Sequence, residues 1–253
     1  MSSVISDPWE GLRQFTAARI ALGHTGHSLP TDALLAFQSD HAQARDAVYS
    51  SLNKEQLIPE LQPLVQTCIC LTSQAQNRQQ YLQRPDWGRK LSAVSKQKLI
   101  ERNTTENDLS IVIADGLSAS AINQHVVPLL SLLIPVLVDK GWTLAPVCLV
   151  EQGRVAIADE IGFLQKSKIT LILIGERPGL SSPDSMGAYL TFQPKPGLTD
   201  ESRNCISNIR PAGLHYPLAA EKIYYLLNQM KIKQISGVNL KDEMELPGGK
   251  LLD

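Results

Sequence analysis

The chain has 253 residues, 43% of them hydrophobic and 19% charged, the balance of a folded globular protein with room for a sizeable core. Lysine and arginine total 24 against 25 for aspartate and glutamate, so there is no basic field to hold a nucleic-acid backbone or an anionic membrane by charge alone. The four cysteines, Cys68, Cys70, Cys148 and Cys205, have no framework spacing, and the first residues lack the basic stretch and apolar core of a leader, so a reduced cytoplasmic chain without a membrane span is expected.

The first hundred residues read as helix. Leu12, Phe15, Ala18 and Leu22 recur at helical spacing, and Gly23-His24-Thr25-Gly26-His27 reads as a turn. After Pro30 a second helix is expected with Thr31 as its N-cap and Leu34, Phe37, His41, Ala44 and Val48 along one stripe, a pattern that suits an interface and a core equally. Asp86, after Arg84-Pro85, is expected to cap a third helix that turns Trp87, Leu91 and Val94 to one side. The polar joint Asn103-Thr104-Thr105 then divides a helical region, residues 1–105, suited to oligomer or partner contacts, from an α/β region, residues 106–253.

Beyond the joint the period changes. Leu109 to Ala114 is a short β-branched run ending in Asp115-Gly116, and Ser118 is a good N-cap for a helix toward Lys140. Thr143 to Val150 predicts a second strand, Val155 to Lys166 a helix, and Ile169 to Ile174 a third strand. Strands separated by helical crossovers make a parallel sheet. Pro146 cannot donate to a ladder and marks the second strand as an edge or a bulge. Ala188 to Phe192 is a candidate further strand, a last amphipathic helix follows Pro217, and residues 246–253 are expected to fray.

In an open parallel α/β sheet, ligands bind beyond the carboxyl ends of the strands. The segments there are Asp115 to Ser118, Gln152 to Val155 and Gly175 to Leu180, each with a glycine that lets backbone approach a ligand; ordinary strand-to-helix turns explain them as well. None carries G-x-G-x-x-G or G-x-x-x-x-G-K-[ST], which argues against simple dinucleotide or triphosphate binding. No serine sits in a nucleophile elbow, the five histidines form no ligand pair on a helix face, and Cys68-Ile69-Cys70 lacks a second cluster, so no catalytic or metal residue is assigned. Cys205 lies in an alternating segment that reads equally as an edge strand with an inert thiol, and Glu176 beside Arg177 reads equally as a surface ion pair.

Four strings carry a family resemblance: YLQRPDWGRKL at Tyr81 to Leu91, DGLSASA at Asp115 to Ala121, GERPGL at Gly175 to Leu180, and CISNIR at Cys205 to Arg210. With TAAR, TDALLAF and DHAQARDAV between Arg13 and Val48, the chain resembles the small subunit of ethanolamine ammonia-lyase over most of its length. The resemblance implies a Rossmann-like α/β fold and a carbon-nitrogen lyase that converts ethanolamine to acetaldehyde and ammonia by adenosylcobalamin radical chemistry. It implies a large subunit that carries the substrate, a large hetero-oligomer, and a base-on cofactor shared between the two subunits, the chain alone being inactive. The cofactor contacts it implies fall on Val155, Glu176 and Cys205. Gly23-His24-Thr25-Gly26 departs from the GRxG-like turn of the family. The chain begins almost at its first helix, without the extension that addresses some relatives to a bacterial microcompartment, so free cytoplasm is expected.

Overall fold

The computed structural model describes residues 4–16 and 18–244, so the expected fraying of 246–253 lies outside the described residues. Among the described residues six strands form one sheet, β1 (Cys68–Thr72), β2 (Asn107–Ala114), β3 (Val147–Glu151), β4 (Ser167–Gly175), β5 (Met186–Phe192) and β6 (Arg203–Ile209), in the order β1-β3-β2-β4-β5-β6. β2, β3 and β4 are parallel, as expected, β1 joins them in parallel, and β5 and β6 add an antiparallel flank.

Among the described residues seven α-helices accompany the sheet: α1 (Thr31–Tyr49), α2 (Lys54–Leu61), α3 (Arg78–Gln83), α4 (Ala93–Arg102), α5 (Ala119–Asp139), α6 (Ile157–Leu164) and α7 (Tyr216–Lys233). The period of two in β2 sorts them into layers. Leu109, Ile111 and Ile113 join a core with Leu57 of α2, Leu129 of α5 and Leu227 of α7, whereas Val112 and Ala114 join one with Leu99 of α4 and Ile161 of α6. α5 is long and apolar enough to cross a membrane by composition, and it continues through Pro128 and Pro135. It lies against the sheet, with ten of its residues buried, Leu129, Leu130 and Leu133 among them.

Several expectations are corrected. The first helix is only a 3-10 turn, Glu10–Phe15, without a side-chain cap, and Phe15 is 79% exposed, so no packing extends it to Ala18 or Leu22. In α1 the cap position is Pro30, and Thr31 is already helical; of the stripe, Leu34, Phe37 and His41 are exposed and Ala44 and Val48 half-buried, and Ala47 is the buried residue of the helix. After Asp86 only a three-residue 3-10 turn forms, Trp87–Arg89, and Asp86 gives it no side-chain cap, because Arg84 occupies that carboxylate with bonds of 3.0 and 2.7 Å. Ser92 is free to accept from the Ser95 amide at 3.2 Å, and α4 begins there.

Residues 68–72, expected in the helical region, instead pair with β3 over five residues, so the sheet begins before the Asn103-Thr104-Thr105 joint. Pro146 precedes the first residue of β3, which is an interior strand: a proline just outside the ladder removes no bond from it.

Candidate functional site

β2 has β3 on one side and β4 on the other, and the helices leaving β2 and β3 lie on opposite faces of the sheet, α5 with the first core and α6 with the second. The strand order therefore reverses between β2 and β4, the place where an open α/β sheet leaves a crevice. An open cleft of about 640 Å³ occupies it.

Its back wall is backbone against backbone. The Leu117 amide donates to the Gly175 carbonyl at 2.9 Å, joining the loop after β2 to the end of β4. A Cβ on Gly116, whose φ is +58°, would lie 2.1 Å from the Gly175 oxygen, and one on Gly175 would lie 2.0 Å from the Ser118 carbonyl oxygen. Only glycine permits this crossing.

Beneath it, Asp115 is almost fully buried and accepts from the amides of Gln152 at 2.8 Å and Gly153 at 3.0 Å, which fixes the loop after β3. Burial pushes its pKa up to about 6, against the pull of these donors and of Arg78. Arg78 donates to the carbonyls of Val48 at 2.6 Å and Gly116 at 2.8 Å. Tyr81 lies between two guanidiniums, with Arg78 at 4.6 Å and Arg154 at 4.2 Å from its ring centroid, and its hydroxyl donates to the Gly153 carbonyl at 3.2 Å.

Val155 follows β3 and Glu176 follows β4, and both line the cleft. Glu176 is held from two sides. Its Oε2 accepts from the Ser185 hydroxyl and from the Asn208 amide at 3.1 Å, while Oε1 has no hydrogen-bond partner among the described residues. It makes no ion pair with Arg177 there, so the surface-pair reading of these neighbours is set aside.

The loop between β4 and β5 is anchored from below. Ser118, the cap of α5, donates to the Pro183 carbonyl at 2.9 Å. Asp184 lies between Nη1 of Arg210 at 3.5 Å and Nε2 of buried His125 at 3.2 Å, and Nδ1 of His125 is 2.8 Å from the Tyr216 hydroxyl.

Cys205 is not part of the lining. It lies exposed on the edge strand β6, directly across from Tyr189 of β5, and paired residues of an antiparallel ladder share a face. Tyr189 does line the cleft, so Cys205 stands one strand beyond it on the same side. Burial, and next to it the neighbouring Cys205 thiol, raises the Tyr189 pKa. Among the described residues no group of three His, Cys, Asp or Glu is placed to hold a metal ion.

A family model for the ethanolamine ammonia-lyase light chain matches residues 6–241. The chain belongs to that family. Relatives of the ethanolamine ammonia-lyase light chain family include the small subunit of Azotobacter vinelandii, 52% identical over 97% of this chain and 92% of the relative. Those of Pseudomonas fluorescens and Pseudomonas aeruginosa are each 53% identical over 95% of this chain and 89% of the relative. Membership assigns the chain to the small subunits of an ammonia-lyase, and a small subunit implies a large one.

Sequence reading placed Val155 and Glu176 after the carboxyl ends of two parallel strands, β3 and β4, which lie on either side of β2, and both residues line the cleft. It did not single out Asp115, Arg78, Tyr81, Arg154, Ser185 or Arg210, although Asp115 and Arg154 stand in two of the loop segments it placed beyond the strand ends. Tyr81, Asp115 and Arg210 lie inside the family strings, but nothing in one dimension reveals that Tyr81 stacks on a side chain 73 positions away.

Proposed function

We propose that this chain helps a large catalytic subunit to hold adenosylcobalamin, base-on, at the interface of an ethanolamine ammonia-lyase, in a large cytoplasmic hetero-oligomer, either free or within a bacterial microcompartment. The observation that carries the reading is the convergence of Val155 and Glu176 on one cleft at the switch point of the sheet. The cleft has the volume of a drug-sized ligand site, well short of a whole cobalamin, and this fits a chain that covers one side of a shared cofactor.

The lining suits a corrin edge, which is apolar with amide arms. Val155 offers an apolar contact, and the free Oε1 of Glu176 offers an acceptor to an amide N–H. Because Ser185 and Asn208 already fix the other oxygen, Glu176 accepts without first being ordered. Cys205 supplies a small, weakly polar contact from β6. The cofactor, once bound, supplies the radical chemistry that turns ethanolamine into acetaldehyde and ammonia. The chain's own part is placement and exclusion of water.

The test is reconstitution with the large subunit, following cofactor binding by the corrin absorption band. Glu176→Ala is expected to raise the dissociation constant for adenosylcobalamin, with ethanolamine turnover requiring both subunits. Full turnover by the isolated chain, or cofactor binding indifferent to substitution at both Val155 and Glu176, would overturn the reading.

A further inference from the structure

The chain as a whole carries a formal charge of −1, yet its cleft is lined by three arginines, Arg154, Arg177 and Arg210, and by one acid, Glu176. The three are committed to different degrees. Arg154 lies on the Tyr81 ring and donates to the Tyr81 carbonyl at 3.1 Å, and its buried Nε has no partner among the described residues. Arg210 is aimed by Asn208, which accepts from its Nε at 2.9 Å, and by Asp184. Arg177 is exposed and has neither hydrogen bond nor ion pair among the described residues. Glu176 forms no ion pair with any of them among the described residues, and its bound oxygen is held by a hydroxyl and an amide.

A cleft with this excess of guanidinium, edged by Ser181, Ser182 and Asn208, is complementary to an anion with several acceptor oxygens. Resting on the cofactor reading above, we infer that Arg177 and Arg210 take the phosphodiester of the cobalamin nucleotide loop. The amide arms of the corrin are neutral, so the phosphodiester is the anionic group that such a cofactor presents at its periphery. Arg210 is prepositioned for it. Arg177 is the exposed partner in the cleft lining, and with no bond to another described residue its long side chain is available to the phosphate.

The experiment measures dissociation constants for the assembled complex with two probes, adenosylcobalamin and adenosylcobinamide, the latter lacking the phosphodiester and the base. Adenosylcobinamide phosphate, which keeps the phosphate without the base, separates the two groups. Arg177→Gln is expected to weaken adenosylcobalamin and adenosylcobinamide phosphate by roughly 10-fold, the loss of about one charge-assisted contact, with adenosylcobinamide unchanged. Arg177→Lys should retain most of the affinity, and raising the salt concentration should weaken wild type more than Arg177→Gln. Arg177 is exposed, so the variant tests contact rather than folding, and the assembled fraction is taken from gel filtration.

Equal losses for all three probes, or none for any, would overturn the inference. If Glu176→Ala weakens adenosylcobalamin while the arginine variants do not, the phosphodiester assignment alone fails. If no cleft substitution changes any constant, the cofactor reading fails with it.

Discussion

Oδ2 of Asp115 lies 3.9 Å from Nη1 of Arg78 beneath the cleft, an ion pair whose side chains are 3% and 14% exposed. The acid ties the loop after β3 to the end of β2, and the arginine ties both to the carbonyl that nearly ends α1. Removing the acid leaves two amides without their acceptor and a largely buried guanidinium without its counter-charge. Asp115→Ala is expected to lower stability by about 3–5 kcal/mol, the range for breaking a buried pair. Urea unfolding of the purified chain measures it, and a loss below about 1 kcal/mol would show that the loops hold together without this carboxylate.

The same residue gives a pH dependence. Its folded pKa, about 6, lies above the ordinary carboxylate value of 3.8. Between those values the folded state binds more protons than the unfolded one, so the contribution of Asp115 is fully present below about pH 4 and is lost as pH rises through 6. Two pKa units correspond to about 3 kcal/mol. The difference in unfolding free energy between wild type and Asp115→Asn isolates this group from the other carboxylates. It should move against wild type from pH 4 to 6.5, and a flat difference would contradict the assignment.

Gly116→Ala should disturb the cleft most directly. The new methyl would meet the Gly175 oxygen and the Ile174 side chain, at a residue with φ +58°. Positive φ and steric overlap each cost of order 1–3 kcal/mol, so a loss of at least about 2 kcal/mol is expected. Because the clash separates β2 from β4 at the crevice, cofactor affinity of the reconstituted enzyme should fall as well. Unchanged affinity in a folded variant would place the cofactor elsewhere.

What the sequence made legible follows from periodicity and topology. β2 and β4 are buried on both sides and read as continuous β-branched runs, α5 announces itself through Ser118, and the strand ends carry Val155 and Glu176 to one crevice. β1 was not legible because five residues, Cys68 to Thr72, are too short to outweigh helical neighbours, and their partner is 79 positions away. Asp115 read as a turn residue. Its burial arises from the packing of the loops after β2 and β3, and no local pattern encodes that contact.

Arg203 and Asp159 pair in the interior, each side chain 2% exposed, joining the start of β6 to α6. Burial raises the Asp159 pKa and the guanidinium opposes it. Arg203→Ala would strand the carboxylate, and a loss of about 3–5 kcal/mol is expected from thermal or urea unfolding. Arg203→Met, which fills the space without rescuing the charge, should recover only part of it, whereas the double change to Met and Leu should recover most. Additive losses in the double variant would show that the two residues do not act as a pair.

The thiols offer a test of the partner surface. Cys205 is exposed on the edge strand, and Cys148 is buried in β3, where burial pushes its pKa up to about 12. Since the thiolate is the nucleophile, a disulfide reagent at pH 8 should modify Cys205 rapidly and leave Cys148 unreacted until the chain unfolds. A Cys205→Ser variant identifies the fast thiol, and its stability should lie within about 0.5 kcal/mol of wild type, as for an exposed edge position. If β6 borders the shared cofactor, adding the large subunit and adenosylcobalamin should slow that reaction strongly. The large subunit alone should slow it less. Equal reactivity in the isolated chain and the loaded complex would remove Cys205 from the cofactor side of the molecule while leaving the roles of Val155 and Glu176 to their own tests.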